Sequence, residues 1–125
     1  PKSEYLTSKL ENGTYSMYHQ QYQMALKLFT DIIKEDPKWA EGWNKRATLL
    51  FIMGNYEKSL DDIEKVLDLE PRHFGALSGR AQIYLSYKQY EKAIDDLRKA
   101  KSIYPLIKSG ENIRLIEKII KEQQI

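Results

Sequence analysis

Three prolines, Pro37, Pro71 and Pro105, stand 34 residues apart, and aligning the chain on them brings other columns into register. Fifteen residues before each proline lies an aromatic: Tyr22, Tyr56 and Tyr90. Twelve before lies a small residue: Ala25, Ser59 and Ala93. Phe29, Ile63 and Leu97 lie 8 before, Ile32, Val66 and Ala100 lie 5 before, and a second small column, Gly13, Ala47 and Ala81, lies 24 before. A period of this length means that each unit is one supersecondary element, able to bury its apolar face only against its neighbours. Within the period the spacing is helical. Ala40, Trp43, Ala47, Leu50 and Phe51 recur on one face, and so do Tyr56, Leu60, Ile63, Val66 and Leu67. Gly54-Asn55 between them is a turn signal and a C-terminal cap for the first helix. The small column lets the two helices of a hairpin approach, the tyrosines open each second helix, and each proline ends it by clash and by its missing N–H.

The succession of small residue, aromatic, Ala-x-x-x-Phe and Pro resembles the tetratricopeptide repeat. Segments 25–37, 43–71 and 80–105 look like the second half, the whole and most of three successive repeats. The resemblance implies an all-α, right-handed α-solenoid of three helical hairpins at 6–39, 40–73 and 74–107, closed by a C-terminal solvating helix over 109–124. That makes about seven helices in a single domain over 1–125. Repeat 1 departs from the pattern with Lys9, Asn12 and Ser16, yet Leu6, Leu10, Gly13 and Met17 keep an apolar stripe, as expected of a terminal repeat with one face in solvent. The last helix sets Ile113, Ile116, Ile119 and Ile120 against Arg114, Glu117, Lys118 and Lys121, with Ser109 as its expected N-cap.

Chemistry has little to stand on. His19 and His73 fall in different turns, Cys is absent, and no metal-ligand spacing occurs, so no metal or cofactor is expected. His73 reads as a surface turn residue or a neighbour of a helix N-cap. No nucleophile elbow, phosphate-cradling glycine loop or dinucleotide fingerprint is present. The pairs Asp61-Asp62 and Asp95-Asp96 sit at equivalent positions of second helices and are expected to be solvated, so no catalytic residue is assigned. Twenty basic against 18 acidic residues leave a net charge of +2, too even for a phosphate-binding face, and nucleic acid is not an expected partner. No apolar run approaches the roughly 20 residues that span a bilayer. The absence of Cys suits a reducing or an oxidising compartment equally. The chain opens at Pro1 rather than Met, as a processed chain would, and an upstream targeting segment can have been removed.

What remains is binding. The resemblance implies that the first helices line a concave groove, and it places Met17 and Tyr18 of repeat 1 there, with Asn44, Lys45, Thr48 and Phe51 of repeat 2 and Gly75, Ser78, Gly79, Gln82 and Leu85 of repeat 3. Asn44, Thr48 and Gln82 would hydrogen-bond a peptide backbone, while Met17, Tyr18, Phe51 and Leu85 would take its apolar side chains. Repeats that grip the C-terminal carboxylates of heat-shock chaperones carry lysine, asparagine and arginine where this chain has Leu10, Thr14, Lys45, Gly75 and Gly79, and none matches. A chaperone tail would be desolvated there largely unpaired. Gly75 and Gly79 either admit a ligand backbone or relieve a helix turn and local crowding. Arg46 and Arg80 are expected to pack their stems between repeats and pair with carboxylates such as Glu41 or Asp62, and Trp39 and Trp43 are expected to pack the core. Tyr5, Tyr15, Tyr18 and Tyr87 lie outside the repeat signature, as surface aromatics of an interface would. The expected function is to hold an extended or helical segment of another protein. The alternative is self-assembly into a homo-oligomer through the chain ends or the convex face, with the groove or ends filled by its own chains, which Leu115 and Ile125 on the outside of the last helix would favour.

Overall fold

The computed structural model describes residues 4–105 and 110–123, and their regular structure is entirely helical. Seven helices follow one another: α1 (Glu4–Tyr18), α2 (Tyr22–Glu35), α3 (Ala40–Ile52), α4 (Tyr56–Leu69), α5 (Phe74–Ser86), α6 (Tyr90–Ile103) and α7 (Gly110–Gln123). The 34-residue register is kept to the residue, since α2, α4 and α6 all open on the tyrosine of their repeat. The chain forms two compact units, Pro1–Pro71 with α1–α4 and Arg72–Ile125 with α5–α7.

In the first unit α1 pairs with α2 and α3 with α4, while α3 also packs on α2 and touches α1. The core of the first hairpin gathers Leu6, Met17, Ala25, Phe29 and Ile32, and Leu49 of α3 joins it. Gly13 explains how closely α1 meets α2: a Cβ there would stand 2.5 Å from Phe29 Cε1. Gly42 does the same between α3 and α2, where a Cβ would stand 3.0 Å from Ile32 Cγ2. Ser59, in a column of alanines, is buried, and its hydroxyl donates to the Ala47 carbonyl at 2.7 Å. Trp39 packs against the core, and the Trp43 indole N–H donates to the Pro37 carbonyl at 2.8 Å. In the second unit α5 pairs with α6, and α7 packs on α6. Ala81, Ile94 and Leu97 form one core with Ile113 and Ile116 of α7. Ser109 and Ile125 lie outside the described residues.

All three hairpin turns close alike. Gly54 sits at φ +82°, Asn55 N–H reaches Leu50 O at 2.8 Å, and Gly54 N–H reaches Phe51 O at 3.0 Å. That is the double bond of a left-handed helix cap. Gln20 (φ 58°) and Lys88 (φ 60°) adopt the same conformation one repeat earlier and one repeat later without being glycine. Their turns repeat the bonding, Gln21 N–H to Ser16 O and Gln89 N–H to Tyr84 O, both at 2.8 Å.

The paired aspartates correct the sequence expectation by half. Asp61 and Asp95 face solvent, but Asp62 and Asp96 are buried, at 4% and 2% exposure. One residue is about 100° around a helix, enough to turn the second carboxylate inward against the first helix of its hairpin. There Arg46 Nε and Nη2 donate to Asp62 Oδ2 and Oδ1 at 2.8 and 2.9 Å, and Arg80 holds Asp96 in the same fork at 2.8 Å twice. The arginine pairing expected with Asp62 is therefore the one found.

Candidate functional site

The α1–α3 side of the first unit carries most of the residues marked for binding. Two reversals separate these helices, so they run the same way and bring equal repeat positions alongside. Tyr18 is 65% exposed at the end of α1, and Ile52, at the same repeat position, is 44% exposed at the end of α3. Asn44 and Lys45 are half-buried and Thr48 is exposed. Phe51 is half-buried, its ring stacked on Tyr56 with 5.0 Å between centroids, so only part of it meets solvent.

Met17 has to leave the set. It is 2% exposed and lies in the core with Phe29 and Leu49. Its position completes the stripe Leu6, Leu10, Gly13 and Met17, whose helical spacing points at α2, and that packing prevails over its repeat position.

Hydroxyl groups on this face are less available than residue type suggests. Thr14 Oγ1 donates to the Leu10 carbonyl at 2.8 Å, and Thr48 Oγ1 donates to the Asn44 carbonyl at 3.1 Å. In a helix such back-bonding to the residue four earlier spends the only hydroxyl proton. Thr48 therefore offers a methyl group and an acceptor rather than the donor expected of it. The Asn44 amide and the Lys45 ammonium make no hydrogen bond or ion pair with any described residue, and neither does the Glu11 carboxylate one repeat before Lys45. The signal for the spent hydroxyls was in the sequence, as a threonine inside a helix with a carbonyl four residues before it. Ile52 shares the repeat position of Tyr18.

In the second unit α5 exposes Gly75 and Gln82, and half-buries Ser78, Gly79 and Leu85. Leu85 packs against the core shared by α6 and α7, so it is a packing residue with an exposed edge. Ser86 spends its hydroxyl on the Gln82 carbonyl at 3.1 Å, and the Gln82 amide makes no hydrogen bond with any described residue. Gly75 is the second residue of α5, in the first turn, where a glycine costs little. His73 is the N-cap of α5 itself: its Nδ1 accepts from Ala76 N–H at 3.0 Å.

Elsewhere in the first unit a depression of about 450 Å³ is lined by Leu26, Thr30, Arg46, Leu50, Lys58, Asp61 and Asp62. Arg46 and Asp62 neutralise each other there. Surface aromatics gather at the end of the first hairpin. Tyr15 stacks on His19 with 3.9 Å between centroids and is 62% exposed. The equivalent residue of the next repeat, Leu49, is wholly buried in the core it shares with α2. Among the described residues no helix precedes α1 for Tyr15 to pack on.

Models of the tetratricopeptide repeat match residues 40–73 and 75–105, which together make up more than half of the chain. A TPR repeat-containing protein of Rhizobium etli is 60% identical over 53 residues, covering 42% of this chain and 26% of that protein. Hsp70-Hsp90 organizing protein 1 of Glycine max is 33% identical over 75 residues, covering 56% of this chain and 13% of that one. The chain thus matches only a minor part of the length of either relative. Among solved structures, the first TPR of Spaghetti (RPAP3), bound to the HSP90 peptide SRMEEVD, superposes with a TM-score of 0.86 at 19% identity over 93% of both chains. The Sgt2 TPR domain from Aspergillus fumigatus also gives 0.86, at 18% identity over 98% of this chain and 83% of that one.

Proposed function

The chain belongs to the tetratricopeptide repeat family, and we propose that it is an interaction module holding an extended or helical segment of a partner protein on its first-helix face. Members of the family generally mediate protein–protein interactions and are typically not enzymes. The observation that carries the reading is the α1–α3 side, where Tyr18, Asn44, Lys45 and Ile52 stay wholly or partly open and the Asn44 amide has no partner among the described residues. That amide exchanges water for a peptide group with no bond to a described residue to break.

The segment differs from the chaperone tail bound by the Spaghetti domain. Leu10, Gly75 and Gly79 bring no donor side chain and the Thr14 hydroxyl is spent on its own helix, so of the five positions of a terminal-carboxylate grip Lys45 alone carries a cation. The test is capture of a partner from native extract by the chain and by a Tyr18→Ala/Asn44→Ala variant. Neither side chain packs in the core, so the variant should keep its helicity and melt within about 0.5 kcal/mol of the parent. We expect capture to be lost. Undiminished capture by the variant would remove the first-helix face as the site.

A further inference from the structure

The α1–α3 face divides into an apolar end and a single cationic point. Tyr18 and Ile52 end their helices with large exposed apolar surfaces. Seven residues before Ile52 stands Lys45, with Asn44 beside it. At a rise of about 1.5 Å per residue the two ends lie roughly 10 Å apart along α3. Between them the threonine hydroxyl points its proton into the helix, so this stretch offers methyl and backbone surface. Asn44 and Lys45 are the donors left, enough for one carboxylate held by an amide and an ammonium. Glu11 occupies the position of Lys45 one repeat earlier and repels that carboxylate from α1. Lys45 is half-buried and Glu11 exposed, so the field of the lysine is screened less and dominates at contact.

We infer that this face recognises an internal stretch of a partner chain in which a bulky apolar side chain, seated beside Tyr18 and Ile52, stands three residues from a side-chain carboxylate seated on Lys45 and Asn44. In a polyproline II conformation, with three residues per turn and a rise of about 3.1 Å, residues three apart lie on one side of the chain roughly 9 Å from each other, close to the spacing on α3. The inference rests on the interaction-module reading and adds the chemistry of the ligand.

The test uses peptides with acetylated and amidated ends, so that no terminal carboxylate competes, carrying one Glu and one Phe three positions apart in either order. Binding to the full chain is read by fluorescence anisotropy. One order should bind, and replacing its Glu by Gln or its Phe by Ser should weaken binding at least about tenfold. Lys45→Glu should lose the Glu peptide and accept the same peptide with Lys in place of Glu. Tyr18→Ser/Ile52→Ser should lose both while its circular dichroism melt stays unchanged. The inference is overturned if neither order binds, if the Gln peptide binds as well as the Glu peptide, or if Lys45→Glu does not switch preference. It is also overturned if the free chain is a dimer that Tyr18→Ser/Ile52→Ser dissolves, because a second copy then occupies the face. Should the peptides fail while Tyr18→Ala/Asn44→Ala still abolishes partner capture, the ligand chemistry falls and the module stands. Should capture survive in that variant, the module itself falls.

Discussion

A left-handed backbone costs an ordinary L-residue roughly 1–2 kcal/mol and a glycine little. Gln20 and Lys88 carry that strain at the hairpin turns where the middle repeat has Gly54. Gln20→Gly and Lys88→Gly should therefore each raise stability, by up to about 1 kcal/mol once the freer unfolded chain of a glycine is counted. Gly54→Ala should lower it by a similar amount, and urea midpoints at constant slope would show both. Gly13 argues the other way. Alanine improves a helix by about 1 kcal/mol over glycine. Here its methyl group would stand 2.5 Å from the ring of Phe29, which is wholly buried and has nowhere to move. Overpacking costs about 1–3 kcal/mol, so Gly13→Ala should destabilise despite its propensity, with a lower thermal midpoint as the measurement. A melt at or above that of the parent would show that α1 can shift away from α2.

Between elements, the repeated device is the buried arginine–aspartate fork. It joins α3 to α4 and α5 to α6, at positions 34 residues apart. Its counterparts in the first hairpin are Asn12 and Leu28, so α1 and α2 are held by apolar contact and by the fit of Gly13 to Phe29, with only a long Lys9–Glu35 ion pair at 3.8 Å between their described residues. Removing one partner of a buried pair leaves the other charge uncompensated and costs about 3–5 kcal/mol, whereas replacing both by apolar residues can be nearly neutral. The side chain of Arg46 is 22% exposed and that of Asp62 5%, so water relieves the arginine more easily than the aspartate. Arg46→Met should thus be worse than Asp62→Leu, and the double replacement should recover most of the loss. Additive single losses in that cycle would mean that the fork contributes nothing as a pair.

At the scale of the whole molecule, the charge balance makes a prediction about nucleic acid. A net charge of +2 from 20 basic and 18 acidic residues is too even to predict a stripe for displacing counterions from a phosphate backbone. Two of the arginines, Arg46 and Arg80, are already committed to Asp62 and Asp96. Single-stranded RNA should show no saturable binding at about 50 mM salt, where electrostatic association is strong. Saturable binding that weakens steeply by about 200 mM would reveal a basic face that the charge count conceals. No described helix is long and apolar enough to cross a membrane.

Periodicity determined the helices, because packing residues must recur wherever identical neighbours meet. The columns of Ala25, Phe29 and Ile32 and their successors were legible as core from spacing alone, and they are buried. The outward set was harder to read, since a repeat position states where a residue sits but not what its side chain already touches. Met17 turned into the core, Phe51 leaned on Tyr56, and Thr48 spent its proton on the helix. Asp62 and Asp61 are neighbours in sequence with the same chemistry. One is sealed against Arg46 and the other is in water because a single step around α4 separates inside from outside, and only the packed helices determine on which side of that step each carboxylate falls.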